Sequence, residues 1–282
     1  MPTTTKSYTQ GEAAPWPVIA KRVGAITSIR PASRSSSTFF LETGNGRLVA
    51  KRMTYDREPA AFLNTLLRAA QFLPFSVRPL HAVTVDRTCW YAVFEWISGE
   101  GPPFPPSLAE LIWRSVPERL LQMQSCPVIP EWPLESIWLD RLEKHLHEQT
   151  NPAALLGFLR STVPNGPRYL AHGDFSIQNF VQCEADIKLV DWEEVGSAAA
   201  GFDAGWMLAL ARLGYGPPRS RREMFDVFRA AGFPESNLVW FEALGLLRLL
   251  YRARTLPMET GIRQLVLPTV ENAVAQCRAF FD

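Results

Sequence analysis

The sequence predicts an α+β fold in two lobes: a small antiparallel β-sheet lobe with one helix, followed by a larger, mainly helical lobe. Three observations predict this fold. Short β-prone runs alternate with turn residues in the first hundred positions, glycine and proline crowd residues 98–106, and later residues carry apolar side chains three and four apart. We therefore expect a first lobe over residues 1–97, a connector over 98–106 and a helical lobe over 107–282.

The first hairpin is predicted by two β-prone runs, at 39–43 and 47–51, on either side of Gly44-Asn45-Gly46. Glycine permits the positive φ that a tight hairpin turn requires. If all three of these residues belong to the loop, the count places Lys51 opposite Phe39.

A second hairpin is predicted from the runs 77–85 and 89–97, which flank a short polar turn. Between the two hairpins, apolar residues recur at helical spacing over residues 60–70. The predicted order in the first lobe is therefore strand, strand, helix, strand, strand.

Helical periodicity dominates the second lobe. It predicts helices at roughly 107–124, 135–148, 152–161, 202–213, 220–231, 236–254 and 260–281.

One segment of the second lobe has a strand pattern instead. Residues 180–183 and 187–190 are two short β-prone runs. With a three-residue loop between them, the pairing places Asn179 opposite Asp191. A carboxylate oxygen and an amide oxygen at such a short separation suit a hard divalent cation.

Composition and charge restrict the class of protein. The chain has 282 residues, 47% of them hydrophobic and 20% charged, which excludes wholesale disorder. A net charge of +1 argues against a nucleic-acid partner. No apolar run is long enough to span a membrane, and the N-terminus does not resemble a secretory signal, so we expect a cytoplasmic protein without a membrane partner.

Asp174 is the candidate base. It follows Gly173 in a His-Gly-Asp turn, five residues before Asn179. A carboxylate in that place could accept a proton from a hydroxyl nucleophile beside the bound cation. His172 is expected to be structural and to bind the backbone near Asp191 through its ring.

The spacing of these residues resembles a known pattern. His172-x-Asp174-x4-Asn179, followed by Asp191, resembles the catalytic loop and metal-binding aspartate of kinases. The His-Gly-Asp turn and the Asp-Trp-Glu that begins at Asp191 are typical of the aminoglycoside phosphotransferase and choline kinase family, as is the segment that begins at Gly201.

This resemblance implies a protein-kinase-like fold and transfer of the γ-phosphoryl group of ATP to a hydroxyl of a small molecule. It implies that Asp174 orients or deprotonates the acceptor and that Asn179 and Asp191 hold Mg²⁺ on the nucleotide phosphates. GTP stays possible as the nucleotide.

In the first lobe, Val49-Ala50-Lys51 resembles the family's nucleotide-binding lysine. The hairpin register places Lys51 beside the serine-rich loop that contains Ser35, Ser36 and Ser37. Backbone amides and hydroxyls of that loop could meet phosphate, although it lacks the Gly-x-Gly-x-x-Gly pattern.

Glu58 is the nearest candidate to pair with Lys51. The following Pro59 disfavours helical geometry at Glu58, which predicts that Glu58 lies at the helix start. Glu95 to Ile97 resembles the hinge whose backbone meets the adenine edge.

The acceptor site is less specific. Glu193, Glu194 and Asp203 either gather a cationic substrate or act as helix caps and a solvated edge. Residues 101–282 carry 17 basic and 21 acidic side chains, which favours a cationic acceptor slightly. Aminoglycosides and other antibiotics, choline-like amino alcohols, amino acids and sugars all stay open, and an antibiotic acceptor would imply antibiotic resistance. Trp206 is expected in the core.

Two alternatives also stay open. The chain could be a monomer or a homodimer. It could also be a kinase-like protein that binds a nucleotide or metabolite and has lost phosphoryl transfer.

Overall fold

The computed structural model describes residues 15–32, 37–53, 57–87, 89–146, 150–184, 186–214, 219–255 and 267–275. These residues form two compact units. The first unit lies within Met1–Leu67 and Arg78–Trp96, and the second lies within Arg68–Val77 and Ile97–Asp282.

The first unit contains a five-stranded antiparallel sheet with strand order β1-β2-β3-β5-β4. Its elements are α1 (Trp16–Val23), β1 (Ile26–Pro31), β2 (Thr38–Thr43), β3 (Gly46–Met53), α2 (Pro59–Ala69, which ends in the second unit), β4 (Pro79–Thr84) and β5 (Trp90–Glu95). The predicted order of two hairpins around a helix is confirmed. The sequence did not predict α1 and β1, which precede the first hairpin.

One face of this sheet is covered by α1. Trp16 meets the ring of Phe39 edge-on, with centroids 4.9 Å apart, and Ile19 is fully buried against the same cluster. Burial of these apolar side chains is the main stabilising contribution in this unit.

The register of the first hairpin differs from the predicted one. Thr43 pairs with Gly46, so the loop has two residues and Lys51 lies opposite Thr38 instead of Phe39. The hydroxyl of Thr43 donates to the carbonyl oxygen of Gly46 at 2.8 Å, which closes the turn. Gly46 has φ of +120°, a conformation that glycine adopts without steric cost, and it therefore serves as the first residue of β3.

The second unit is mainly helical. Its helices are α3 (Pro106–Ser125), α4 (Leu134–Leu146), α5 (Thr150–Ser161), α6 (Phe202–Arg212), α7 (Arg221–Ala230) and α8 (Glu235–Thr255), and residues 267–275 are also helical. It also contains two two-stranded antiparallel pairs: β6 (Tyr169–Ala171) with β9 (Gly196–Ala198), and β7 (Phe180–Cys183) with β8 (Asp186–Leu189). The predicted helices are confirmed within a few residues where the structure describes them, whereas the β6–β9 pair was not expected.

Residues 68–77 group with the second unit, although the sequence suggested a place in the first lobe. The backbone N–H of Leu189 on β8 donates to the carbonyl oxygen of Phe75 at 2.7 Å. Phe75 is buried, and the guanidinium carbon of Arg119 lies 4.9 Å from the centre of its ring. This segment therefore supports the β7–β8 hairpin.

No helix in the described part of the chain is both long enough and apolar enough to cross a membrane.

Candidate active site

The β7–β8 hairpin carries the first part of the site, and its register corrects the predicted one. Cys183 pairs with Asp186, so the loop has two residues instead of three. The next position past the strands joins Asn179 to Val190, whose N–H donates to the carbonyl oxygen of Asn179 at 2.8 Å. Asn179 therefore lies opposite Val190, not opposite Asp191. The predicted count failed because Asp186 belongs to the strand.

Asp191 lies one residue beyond that pair and has a left-handed backbone, with φ of 67° and ψ of 50°. Residues with a Cβ atom adopt this conformation at a cost, and they do so often at functional sites. The indole of Trp192 is buried and donates to the carbonyl oxygen of Leu189 at 2.9 Å, which fixes the chain on the far side of Asp191.

His172 ties the Asp174 turn to the end of β8. The backbone N–H of Asp174 donates to Nδ1 of His172 at 3.2 Å, so Nδ1 acts as the acceptor and Nε2 carries the proton. Nε2 then donates to the carbonyl oxygen of Val190 at 2.9 Å. The expected structural role of His172 is confirmed.

Asp203 also stabilises the Asp174 turn, through hydrogen bonds to its backbone. Its two carboxylate oxygens accept the backbone N–H groups of His172 and Gly173, at 2.8 and 2.9 Å. Burial raises the pKa of the Asp203 carboxyl, against the lowering effect of His172 and these hydrogen bonds. Asp203 is buried and bonded to the backbone of the turn, which favours a structural role over the alternative in which it gathers a cationic substrate.

The side chain of Asn179 closes the turn from the other side. Its Nδ2 donates to the carbonyl oxygen of Asp174 at 2.7 Å, and the side chain is largely buried. The amide nitrogen is thereby used, and Oδ1 is the atom that can act as a ligand.

Two arginines of α8 reach this turn. Nη1 of Arg252 lies 3.3 and 3.4 Å from the two carboxylate oxygens of Asp174. Nη2 of Arg248 donates to the carbonyl oxygen of Gly173 at 2.6 Å. Sequence reasoning missed both residues; the available signal was the presence of charged side chains in an otherwise apolar helical run.

The charge of Asp174 is set by these arginines. Burial by itself raises the pKa of the Asp174 carboxyl, but the charges of Arg252 and Arg248 outweigh it and hold the pKa below its usual value. Burial lowers the pKa of Arg248 to about 10, so it still carries its charge at neutral pH. Asp174 is therefore ionised at neutral pH, as a proton acceptor must be.

Glu193 and Glu194 form a short 3-10 turn with Trp192, directly after Asp191. Glu194 approaches Arg141 at 3.7 Å, and both glutamates are partly buried. They follow Asp191 directly in the sequence, but neither is among the described residues that line the cavity beside Asp174.

A cavity of about 440 Å³ opens beside Asp174. It lies between the Asp174 turn, α6 and α8. Its described lining residues are Asp174, Ser176, Ile177, Gln178, Asn179, Trp206, Met207, Leu210, Leu249 and Arg252. Trp206 is nearly fully buried, as expected for a core residue, and it also forms part of this wall. The volume suits a small-molecule ligand.

Lys51 lies on β3 of the first unit, paired with Thr38 on one side and Ala92 on the other. Only 7% of its surface is exposed, which is unusual for a lysine. The carbonyl oxygen of Ser37 accepts the N–H of Arg52 at 2.7 Å and places Ser37 beside Lys51. The expectations for Ser35 and Ser36 lie outside the described residues.

Glu58 is exposed, and its Oε2 accepts the N–H of Ala61 at 2.6 Å. Helix α2 begins at Pro59, which confirms that Glu58 lies at the helix start. In this place it caps the helix.

The predicted hinge follows β5. The backbone N–H of Glu95 donates to the carbonyl oxygen of Arg78 at 3.2 Å, and its Oε1 accepts the N–H of Arg78 at 3.0 Å. Ile97 is half-buried and is the residue at which the chain returns to the second unit.

The chemistry of two side chains in this part of the chain suits a hard divalent cation. Asn179 and Asp191 supply amide and carboxylate oxygens, which are the hard ligands that Mg²⁺ prefers. Within the described parts of the chain, no group of three or more His, Cys, Asp or Glu side chains forms a metal cage. Mg²⁺ in nucleotide sites commonly uses one or two protein oxygens and takes its other ligands from phosphates and water.

Comparisons with known proteins show which family and fold the chain resembles. Residues 28–236 match a family described as the phosphotransferase enzyme family. No curated protein sequence matches the chain significantly. Many solved structures are similar to it.

Three of these structures are phosphotransferases or kinases of small molecules by their descriptions. Aminoglycoside phosphotransferase APH(4)-Ia, crystallised with ADP and hygromycin B, is 13% identical with a TM-score of 0.66, covering 93% of this chain and 98% of its own. An amicoumacin kinase with AMP-PNP and Ca²⁺ is 12% identical with a TM-score of 0.70, covering 95% and 94%. A choline/ethanolamine kinase family protein from Mesorhizobium loti is 18% identical with a TM-score of 0.59, covering 94% and 91%. At these identities the likeness shows a kinase-like fold.

Proposed function

This chain belongs to the phosphotransferase enzyme family, and from that premise we propose that it transfers the γ-phosphoryl group of ATP to a hydroxyl of a small molecule. One observation carries the proposal. The ionised carboxylate of Asp174 lines a cavity of about 440 Å³, next to Asn179, in a turn that buried groups fix on several sides. A base held this way beside a small-molecule cavity suits a hydroxyl acceptor.

The reaction assigns a role to each group. The acceptor oxygen bonds to the γ-phosphorus, the bond from that phosphorus to the bridging oxygen breaks, and ADP leaves. Asp174 orients the hydroxyl and accepts its proton. Asn179 and Asp191 would hold Mg²⁺, which when bound neutralises charge on the phosphates.

The first unit supplies the nucleotide contacts in this proposal. Lys51 binds the phosphates, with backbone and hydroxyl groups of the loop that ends at Ser37. The backbone from Glu95 to Ile97 meets the purine, and this contact decides between ATP and GTP. The relatives crystallised with hygromycin B and amicoumacin, and the choline/ethanolamine kinase family protein, make antibiotics and amino alcohols the first known acceptor classes to test.

A second candidate function is a binding protein without transfer. Glu58 favours it, because this glutamate caps α2 from an exposed position instead of lying within the helix. A single-turnover assay with labelled ATP and a mixture of amino alcohols, sugars and antibiotics separates the two functions. Transfer of the label to an acceptor supports a kinase, and label that stays on the nucleotide supports a binding protein.

Asp174→Asn tests the base. We expect kcat to fall by about 10²–10⁴-fold because the amide cannot take a proton, while the affinity for nucleotide stays within a factor of a few. Asp140→Asn is the matched control, since Asp140 is an exposed carboxylate paired with Arg160. Equal turnover by Asp174→Asn and the parent would remove Asp174 from the mechanism.

Asp191→Ala tests the metal ligand with a binding readout. Nucleotide affinity, measured by calorimetry with and without Mg²⁺, should lose most of its dependence on the metal. An Asp191→Ala variant that binds MgATP as tightly as the parent would contradict the assignment.

A further inference from the structure

The cavity beside Asp174 is nearly neutral in charge. Among the described residues that line it, Asp174 and Arg252 are the charged ones, and their side chains contact each other at 3.3 Å. Both side chains are mostly buried, at 18% and 26% exposure, so solvent screens the pair only in part. Among the described residues of this wall, the one carboxylate is therefore already paired with an arginine.

A polycationic acceptor needs several carboxylates, and the carboxylates near this site are used elsewhere. Asp203 accepts two backbone N–H groups in the interior. Glu194 approaches Arg141, and Glu193 and Glu194 are absent from the described lining. Among the described residues that line this cavity, Asp174 is the one acidic side chain, so the acidic excess of residues 101–282 does not by itself support a cationic acceptor at this wall.

Most of the wall is apolar. Ile177, Met207, Leu210 and Leu249 line it together with Trp206. The remaining polar lining side chains, Ser176, Gln178 and Asn179, are uncharged. Apolar walls bind an apolar body, because burial of apolar surface is the main source of affinity there.

Arg252 is held firmly in place. Its guanidinium carbon lies 5.1 Å from the centre of the Trp206 ring, a cation–π contact. Burial lowers the pKa of Arg252, but Asp174 and Glu194 outweigh burial and raise it, so the side chain is a permanent cation. A buried cation beside apolar and uncharged polar side chains is a specific recognition element for an anion.

We propose that the acceptor of this phosphotransferase is a hydroxy compound with an apolar body and an anionic group, which Arg252 binds. The inference rests on the proposed function of the same site. Arg252 binds the anion through N–H groups other than the Nη1 that faces Asp174, and the hydroxyl lies beside Asp174. Because Arg252 and Asp174 touch, the hydroxyl and the anion of the acceptor must lie within roughly 6 Å of each other, a span of two or three carbon atoms.

The test uses three probes that share an eight-carbon chain and a 3-hydroxyl and differ at C1: 3-hydroxyoctanoate is anionic, octane-1,3-diol is neutral and 1-aminooctan-3-ol is cationic. Each is titrated calorimetrically into the full chain saturated with Mg²⁺ and AMP-PNP, with hygromycin B as a polycationic comparison. We expect the hydroxy acid to bind about tenfold or more tightly than the diol, and the amine to bind most weakly. Equal affinities, tighter binding of the amine or hygromycin B, or no binding of the hydroxy acid would overturn the proposal.

Arg252→Met assigns the preference to one residue. The variant should lose the tenfold preference for the hydroxy acid over the diol, and Arg252→Lys should retain part of it. Arg254→Met is the matched control on the same helix, since Arg254 pairs with Glu271 and does not line the cavity. An Arg252→Met variant that keeps the full preference would overturn the proposal, and the probe series on the parent tests it even if this variant fails to fold.

The two proposals fail in different ways. Charge-selective binding of the hydroxy acid without transfer of label to any acceptor would support the acceptor site and reject the kinase reaction. Transfer of label to hygromycin B or to the amine, with none to the hydroxy acid, would support the reaction and reject the anionic acceptor.

Discussion

Gly173 is the residue on which the geometry of Asp174 depends. Its φ is +87°, its N–H donates to Asp203, and its carbonyl oxygen accepts from Arg248. A Cβ atom at this position would lie 2.3 Å from the carbonyl oxygen of Glu194. The hydrogen bonds at its N–H and at its carbonyl oxygen, together with the nearby backbone of Glu194, restrict the turn to one conformation.

Gly173→Ala is therefore expected to destabilise the fold by about 3 kcal/mol or more, because strain at positive φ adds to a clash with backbone. Gly232→Ala is the matched control. Gly232 has a similar φ of +94°, but a Cβ there meets nothing within 4 Å. This control should cost only about 1 kcal/mol. Urea unfolding of both variants gives the difference, and equal losses would show that the clash with Glu194 is relieved without cost.

At the scale of elements, the contact between α6 and α8 positions the cavity wall and both arginines. The two helices approach closely because glycines face the contact. A Cβ on Gly205 of α6 would lie 2.3 Å from Cβ of Phe241 on α8. A Cβ on Gly245 of α8 would lie 2.8 Å from Cβ of Ala209 on α6. Close packing of this kind leaves no room for an added methyl group.

Gly205→Ala should consequently destabilise the protein by about 1–3 kcal/mol, although alanine is the better helix former. Gly157→Ala on α5 is the matched control, and its effect on stability should have the opposite sign. Gly157 is exposed, and a Cβ there meets nothing within 4 Å. That control should stabilise the protein by about 0.5–1 kcal/mol. A stabilising effect of Gly205→Ala in thermal unfolding would mean that α6 and α8 separate easily.

At the scale of the whole molecule, the second unit is built from two separate parts of the chain. Residues 68–77 come before β4 and β5 in sequence, yet they support β8.

Buried carboxylates connect other distant parts of this unit. Glu135 of α4 accepts from Arg168 at 2.6 Å and from the N–H of Ala199 at 2.8 Å. Glu242 of α8 pairs with arginines of α6 and of the first turn of α7.

Phe75→Ala tests the place of residues 68–77. We expect a loss of about 3–5 kcal/mol, because a buried ring leaves a cavity, and faster hydrogen exchange in β7 and β8. Phe72→Ala is the matched control, with 52% of Phe72 exposed against 3% of Phe75. It should change stability by less than about 0.5 kcal/mol. Exchange that increases across β1 to β3 and stays unchanged in β8 would contradict the grouping.

Local features of the sequence predicted much of the candidate site. The spacing of His172, Asp174, Asn179 and Asp191 lies within one short segment, so a turn and a hairpin suffice to bring these residues near each other. The same reasoning misplaced the strand register by one residue in the β2–β3 hairpin and in the β7–β8 hairpin. Whether Gly46 and Asp186 count as loop or strand depends on cross-strand pairing, which residue types do not decide.

The sequence by itself determined the α+β composition, the two hairpins around a helix in the first lobe and the helices of the second, because each depends on periodicity or on short-range spacing. Only the tertiary structure decided the rest. It buried Asp203, brought Arg248 and Arg252 to the turn from more than seventy residues away, and left Asp174 and Arg252 as the charged side chains among the described residues of the cavity wall. Contacts at that separation arise from the packing of whole helices, which periodicity along one helix does not specify.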